Sequence, residues 1–306
     1  MAKIYLNGKI VDLKDARISV LDRGFLYGDG VFESLRTYNR RPFLLEEHLK
    51  RLLAGAKLLK IKGPSLPQLK LAVLKTVASN LFREHYIKII ITRGESKGHG
   101  LALSNSTGNP TIVGNPTIVG KPTVIVLDEE MKEYPRNIFT RGWKAVISSV
   151  RRTEVPTSRI KSLCYLDNAL AMAEARRSGA DEAFMLDEKG HVVEGTVSNI
   201  FAVKLETIYT PPLDEPILAG ITRNLVLKLA KQSAFRAVEK IIDPKDLYGC
   251  DECFITMSGA GIVPVTRIWN RKIGDGKCGP MTDKLIRLYQ AETQKKKEAS
   301  HGKRGI

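Results

Sequence analysis

The stretch Lys161 to Phe201, KSLCYLDNALAMAEARRSGADEAFMLDEKGHVVEGTVSNIF, decides the fold. It opens on one lysine in a sparse apolar setting. A helix is expected near Asp167 to Ser178 and a hairpin around Glu188-Lys189-Gly190. The acidic turn Glu194-Gly195-Thr196-Val197-Ser198-Asn199 then leads into a strand from Ile200 to Val203. The amine of Lys161 can condense with an aldehyde, and the carboxylate of Glu194 can hold a ring nitrogen protonated. Spaced this way, the two residues can serve the two ends of one aromatic cofactor.

Downstream, Gly220 to Lys231 opens with Gly-Ile-Thr and becomes an apolar-periodic helix. Strands follow at Glu252 to Met257 and Val263 to Ile268, and a last helix starts at Met281. Upstream, Ala145 to Val150 is strand-like. Toward the N-terminus, Ala2 to Leu13 alternates around Asn7-Gly8, a type I′ turn signal. Gly24 to Tyr38 is glycine-rich and then strand-like. Leu45 to Leu59 and Pro67 to Arg83 read as helices, and Tyr86 to Arg93 as a β-branched strand. NPTIVG at Asn109 to Gly114 is repeated without change at Asn115 to Gly120, ahead of a strand at Pro122 to Leu127. The repeat reads as a local tandem duplication, with a sequence artefact as the alternative, and no chemistry is assigned to it. The chain divides into a small N-terminal α/β domain (1–127), a charged, proline-bearing linker (128–140), a large domain (141–290) and a basic, disordered tail (291–306).

The 306 residues are 43% hydrophobic and 27% charged, a soluble globular balance. Met1 to Leu6 is followed by Asn7, Gly8 and Lys9 rather than an apolar run, so no signal peptide is read. No stretch approaches the ~18 apolar residues of a spanning helix. A cytoplasmic location without membrane partners follows. Cys250 and Cys253 form a CxxC, but only Cys278 lies near as a further soft ligand, so packed thiols are favoured and no metal is expected. The net charge of +16 is spread along the chain without a recognisable nucleic-acid-binding signature. Specific nucleic-acid binding is therefore not expected, although the basic field suits anionic ligands such as dicarboxylates and phosphates.

Six motifs stand in order: Tyr27-Gly28-Asp29-Gly30-Val31-Phe32-Glu33, His48-Leu49-Lys50-Arg51-Leu52, Ile160-Lys161-Ser162-Leu163-Cys164-Tyr165-Leu166, Glu194 to Asn199, Gly220-Ile221-Thr222-Arg223, and Gly276-Lys277-Cys278-Gly279-Pro280. Together they resemble the class IV (fold type IV) pyridoxal 5′-phosphate (PLP) enzymes, over about Lys3 to Tyr289. That family holds branched-chain aminotransferases, D-amino-acid aminotransferases and aminodeoxychorismate lyases, and the resemblance is nearest to the first. It implies a two-domain, mixed α/β fold like that of D-amino-acid aminotransferase.

The resemblance also assigns roles. Lys161 would be the catalytic Schiff-base lysine, and Glu194 the partner of the pyridine nitrogen. Arg51, Gly220, Ile221, Thr222 and Ser258 would hold the phosphate, and Tyr165 the phenolic oxygen. Tyr27, Phe32 and Gly259 would face the substrate. Lys88 stands where many branched-chain enzymes have arginine. Arg93, Lys97 and His99 follow it, and the Lys97/His99 spacing matches an Arg/His pair that D-amino-acid enzymes use on the α-carboxylate. The implied reaction is transamination between a branched-chain L-amino acid and 2-oxoglutarate. A D-amino-acid aminotransferase and a lyase are the alternatives within the family, and a basic nucleic-acid-binding protein is the alternative outside it. The family's active site draws a loop from a neighbouring subunit, which implies at least a homodimer with Arg93 to Leu101 as the contributing loop.

Overall fold

The computed structural model describes residues 2–97, 117–119 and 121–295. β1 (Lys3–Leu6) and β2 (Lys9–Asp12) flank Asn7-Gly8, whose φ angles of 47° and 98° are those of a type I′ hairpin. A short helix, α1 (Arg23–Tyr27), leads into β3 (Gly30–Tyr38), β4 (Arg41–Pro42) and the helices α2 (Leu45–Leu58) and α3 (Leu66–Ala78). Next come β5 (His85–Thr92), the short pair β6 (Glu95–Lys97) and β7 (Thr117–Val119), and β8 (Val124–Glu130). Six of these strands form one antiparallel sheet in the order β2-β1-β8-β5-β3-β4. Its inward residues, among them Leu35, Ile87, Ile89 and Val126, pack on Leu49 and Leu52 of α2 and Leu69 and Val73 of α3. This is the period-2 face of a strand meeting the apolar stripe of a helix.

Two expectations need correction here. α3 stops at Ala78 rather than Arg83, because Asn80 turns its amide into the sheet. The Asn80 Nδ2 donates to the Lys3 carbonyl (2.8 Å) and to Asp128 Oδ2 (2.7 Å). The linker expected from 128 also begins too early. Asp128 to Glu130 complete β8, and Asp128 is buried against His85 (3.0 Å), so an acidic residue there marks a buried side-chain contact inside a strand. Most of the NPTIVG repeat lies outside the described residues; only Thr117–Val119 of it is described.

The second sheet carries α4 (Ile138–Arg141), β9 (Trp143–Arg151), α5 (Leu166–Arg177), β10 (Glu182–Leu186), β11 (Val192–Gly195), β12 (Asn199–Lys204) and β13 (Thr207–Thr210). It continues with α6 (Ile221–Gln232), β14 (Arg236–Glu239), α7 (Pro244–Gly249), β15 (Glu252–Met257), β16 (Gly261–Ile268), β17 (Arg271–Lys272) and α8 (Pro280–Gln294). The strands form a nine-stranded mixed sheet, with β9 parallel to both β10 and β16. Helices α6 and α8 cover one part of it around Phe201, Phe254 and Leu285, and α5 covers another around Ala171, Ala183 and Met185. Cys250 and Cys253 are packed as buried thiols in a third cluster with Ile255 and Val263. α8 runs to Gln294, four residues into the expected tail, because Thr293 is still buried on it; residues 296–306 lie outside the description.

The two sheets meet where β3 touches the Lys161 segment. The Phe32 N–H donates to the Lys161 carbonyl (2.8 Å), and the Leu163 N–H to the Gly30 carbonyl (3.0 Å). Behind this bridge lies Glu33, whose side chain is wholly buried. It accepts from Arg51 Nε (2.6 Å) and Nη2 (2.9 Å) and lies 2.8 Å from His48 Nδ1. Arg51 Nη1 continues across the junction to the Ala219 carbonyl (2.8 Å). Burial acts to raise the Glu33 pKa, but the Arg51 charge and the His48 contact prevail and hold it at about 2, against 4.5 ordinarily.

A carboxyl group depressed in the folded state stabilises the fold above its unfolded pKa and loses that contribution as pH falls through the folded one. Between pH 4.5 and 2, Glu33 therefore supplies a pH-dependent stability on the order of 3 kcal/mol. Urea unfolding of Glu33→Gln across this window should give a markedly flatter acid limb than wild type, together with lower stability at pH 7. Superimposable acid limbs would contradict the assignment.

Candidate active site

A cavity of about 720 Å³ opens at the junction of the sheets, lined by Phe32, Arg51, Lys88, Lys161 and Tyr165 and by the start of α6. Lys161 enters it from the loop before α5, anchored by its own carbonyl on β3. Its amine lies 4.6 Å from the Phe32 ring centroid, 5.1 Å from that of Tyr165, and 3.4 Å from the Tyr165 hydroxyl. Phe32 and Tyr165 meet edge to face, with centroids 5.2 Å apart. Burial among these rings, with Arg51 and Lys88 adding positive charge, outweighs the attraction of Glu33 and Glu194 and lowers the amine's pKa to about 8. The amine thus becomes available as a neutral nucleophile near physiological pH. The Tyr165 hydroxyl donates to the Thr196 carbonyl (3.1 Å), which leaves its oxygen free to accept from Lys161.

Past Lys161 a recess of about 30 Å³ reaches Glu194. The Glu194 carboxyl is fixed by Arg152 Nη2 (3.2 Å) and by the Leu218 N–H (2.9 Å). Burial raises its pKa above the ordinary carboxylate value, opposed by those two partners. The turn that carries Glu194 is built on another buried acid. Glu182 accepts from the Thr196 N–H (3.0 Å), the Thr196 hydroxyl (2.6 Å) and the Ser198 hydroxyl (2.7 Å).

At the other end of the cavity α6 begins with no side chain capping it, so its first N–H groups are free for an anion. Gly220 is required at this point: a Cβ would stand 1.8 Å from Asn199 Oδ1. Arg51, held by Glu33, lines the same end together with Thr222 and Ser258. The buried Thr256 hydroxyl, which also lines the cavity, has no hydrogen-bond partner among the described residues. Cationic fork, free helix N-terminus and spare hydroxyl together make a donor set suited to a dianion.

The structure therefore brings together Arg51, Lys161, Tyr165, Gly220, Ile221, Thr222, Ser258, Gly259, Phe32 and Lys88 around one cavity, with Glu194 in its recess. Tyr27 and Arg93 are not brought to it. Tyr27 is partly exposed and its ring lies against the Arg23 guanidinium, 4.9 Å from the centroid. Arg93 is consumed by Asp29 (2.7 Å) and by the Leu59 carbonyl at the end of α2 (2.7 Å), because a guanidinium next to a carboxylate and open carbonyls saturates its donors locally. The Lys97 side chain and all of His99 lie outside the described residues. Sequence reading gave no role to Glu33, Arg152 or Glu182. Glu33 sits inside a quoted motif, but a lone Arg152 after a strand and an acid opening β10 carry no signal until the fold apposes them to Glu194.

The sequence matches the family described as Amino-transferase class IV over residues 30–268. It is 44% identical over 292 residues to a putative branched-chain-amino-acid aminotransferase of Methanocaldococcus jannaschii, covering 94% of this chain and 95% of the relative. With the branched-chain-amino-acid aminotransferase of Escherichia coli strain K12 it shares 31% identity over 305 residues, 96% of this chain and 94% of that one. Its fold superposes with a TM-score of 0.83 on a crystal structure of a branched-chain amino acid aminotransferase from T.th. with pyridoxamine 5′-phosphate, at 31% identity and 95% and 94% coverage. The Escherichia coli branched-chain amino acid aminotransferase structure gives a TM-score of 0.85, with 28% identity and 97% of both chains covered. A half-buried lysine between a recessed glutamate and a set of anion-suited donors, on a chain matched along nearly its whole length, makes this protein a member of the class IV aminotransferase family.

Proposed function

We propose that the protein is a PLP-dependent aminotransferase that moves amino groups between branched-chain L-amino acids and 2-oxoglutarate, acting as a cytoplasmic homodimer. The observation that carries this reading is the buried Lys161 amine, with its pKa near 8, set between the Glu194 recess and the Arg51–Thr222 cradle. These residues fit PLP at three points. Arg51, the N-terminus of α6, Thr222 and Ser258 would hold its phosphate, Glu194 its ring nitrogen, and Lys161 its carbonyl carbon. When bound, PLP supplies that carbonyl and an electron-withdrawing ring.

The chain's own residues do the rest. Glu194 keeps a proton at the ring nitrogen, and Arg152 and the Leu218 N–H fix the direction of its carboxyl. The Lys161 amine would take the proton from the substrate α-carbon. Phe32 and Tyr165 keep water from that amine. Phe32, Val197, Leu218 and Met257 give the cavity an apolar lining that suits a branched aliphatic side chain. Lys88, 4.8 Å from the Phe32 centroid and without an ion-pair partner among the described residues, is a cation suited to the distal carboxylate of 2-oxoglutarate.

An exposed apolar strip supports the dimer. Val20 and Phe25 are 71% and 66% exposed, and Leu166 on α5 is 70% exposed. The two parts adjoin where Cys164 Sγ reaches the Tyr27 and Gly28 carbonyls (3.8 and 3.7 Å). The four unbonded thiols suit a reducing compartment, and no helix among the described residues is long and apolar enough to cross a membrane.

The first test is the visible spectrum of the PLP-incubated protein before and after L-leucine and, separately, D-alanine. Bleaching of the cofactor band by L-leucine alone is expected. Bleaching by D-alanine alone would replace this reading with a D-specific enzyme, and an unreactive band would favour a lyase. Lys161→Ala should abolish turnover, by about 10⁴-fold or more. Because the lysine pKa is lowered to about 8, the rate of cofactor attachment should rise with pH up to about 8 and level off above it. Lys88→Ala should raise the KM for 2-oxoglutarate about tenfold and leave that for L-leucine within twofold. Equal shifts in both constants would remove Lys88 from substrate recognition.

A further inference from the structure

A second cavity, of about 990 Å³, lies beside the active-site cavity, between the end of β3, the segment after β8 and the last turns of α8. Its walls are aromatic and aliphatic, including Tyr38, Phe139 and Ile286, and its rim carries three guanidinium groups. Arg36 is paired with Glu133 (2.5 Å). The other acid at the cavity, Glu84, is engaged by the Thr37 hydroxyl and by the Asn39 N–H (2.6 Å) and Arg40 N–H (3.3 Å). Arg83 and Arg136 are exposed and have no ion-pair partner among the described residues. Two unpaired guanidinium forks over an apolar floor recognise a carboxylate attached to an aromatic or branched body.

The two cavities share a wall, Glu133-Tyr134. The Tyr134 hydroxyl lies over Gly259, 3.5 Å from where a Cβ would stand. Arg36, buried, holds both sides of the wall: Nη2 donates to Glu133 Oε1 (2.5 Å), and Nη1 donates both to Glu133 Oε2 (3.4 Å) and to the Gly259 carbonyl (3.2 Å). A carboxylate entering the second cavity competes with Glu133 for Arg36. The same guanidinium positions Gly259 at the edge of the active-site cavity, so occupancy on one side is felt on the other.

We propose that the second cavity is a regulatory site for a small carboxylate with an aromatic or branched apolar body, coupled to the active-site cavity through Arg36 and Gly259. This rests on the first cavity being the active site. Calorimetric titration of the PLP-incubated protein with 3-phenylpropionate, which has no amino or oxo group to react, tests it against Arg83→Ala/Arg136→Ala. The expected result is binding to wild type that weakens at least tenfold in the double variant, while the cofactor band and the KM for L-leucine stay unchanged. Inhibition of wild type by 3-phenylpropionate should be non-competitive with L-leucine and should fade in the double variant. Equal affinity for the two proteins, no binding to wild type, or purely competitive inhibition overturns the proposal. Failure of the protein to take up PLP or to use L-leucine would overturn the aminotransferase reading, and the calorimetric comparison would still decide the second cavity.

Discussion

Glu33 is an ionised carboxylate with no exposed side-chain surface, and the site depends on how it is neutralised. Leaving a charge of that kind unpaired costs several kcal/mol, so its partners cannot drift. Arg51 binds both of its oxygens and His48 one of them, and the same guanidinium reaches the Ala219 carbonyl just ahead of α6. One charge cluster thereby aligns the first sheet, helix α2 and the anion-binding end of α6. A surface arginine at that position would contribute little to alignment. A half-buried, doubly anchored one is held in place before any ligand arrives, which lowers the cost of ordering it on binding.

The lysine and glutamate at the other stations are set by opposite uses of burial. Burial disfavours charge on both, so it lowers the Lys161 pKa and raises that of Glu194. For the lysine this brings the neutral amine within reach near neutral pH. For the glutamate it would also remove the carboxylate charge, and Arg152 and the Leu218 N–H oppose that loss. The turn around Glu194 is held in turn by Glu182, which collects donors from Thr196 and Ser198. Two acids on adjacent strands therefore have separate tasks, one shaping the turn and the other facing the cavity.

The stations around the cavity were legible in the sequence because each sits in a local motif with its own geometry. Gly220-Ile221-Thr222 opens a helix, Glu194 to Asn199 is a turn between strands, and Lys161 precedes a helix. The residues that hold these stations in place were not legible, since Glu33, Arg152 and Glu182 have their partners 14 to 42 residues away in a fold that spacing does not reveal. Arg93, which is not brought to the cavity of its own chain, is the converse case. It has the right residue type for substrate binding, but Asp29 and the end of α2 lie closer and use up its donors. Asp128 likewise read as linker because its buried partner, His85, lies 43 residues back across the sheet.

The sequence by itself determined the elements and the chemistry at their ends. Alternation, helical spacing, the Asn-Gly turn and the glycine-led helix start are local consequences of backbone and side-chain geometry. Tertiary structure alone decided which charged groups are buried together. It also decided which arginines are spent on carboxylates and carbonyls, and which cavities remain between the sheets. Burial and pairing arise only when distant segments exclude water from one another, and that exclusion both lowers the pKa of Lys161 and holds Arg51 in place.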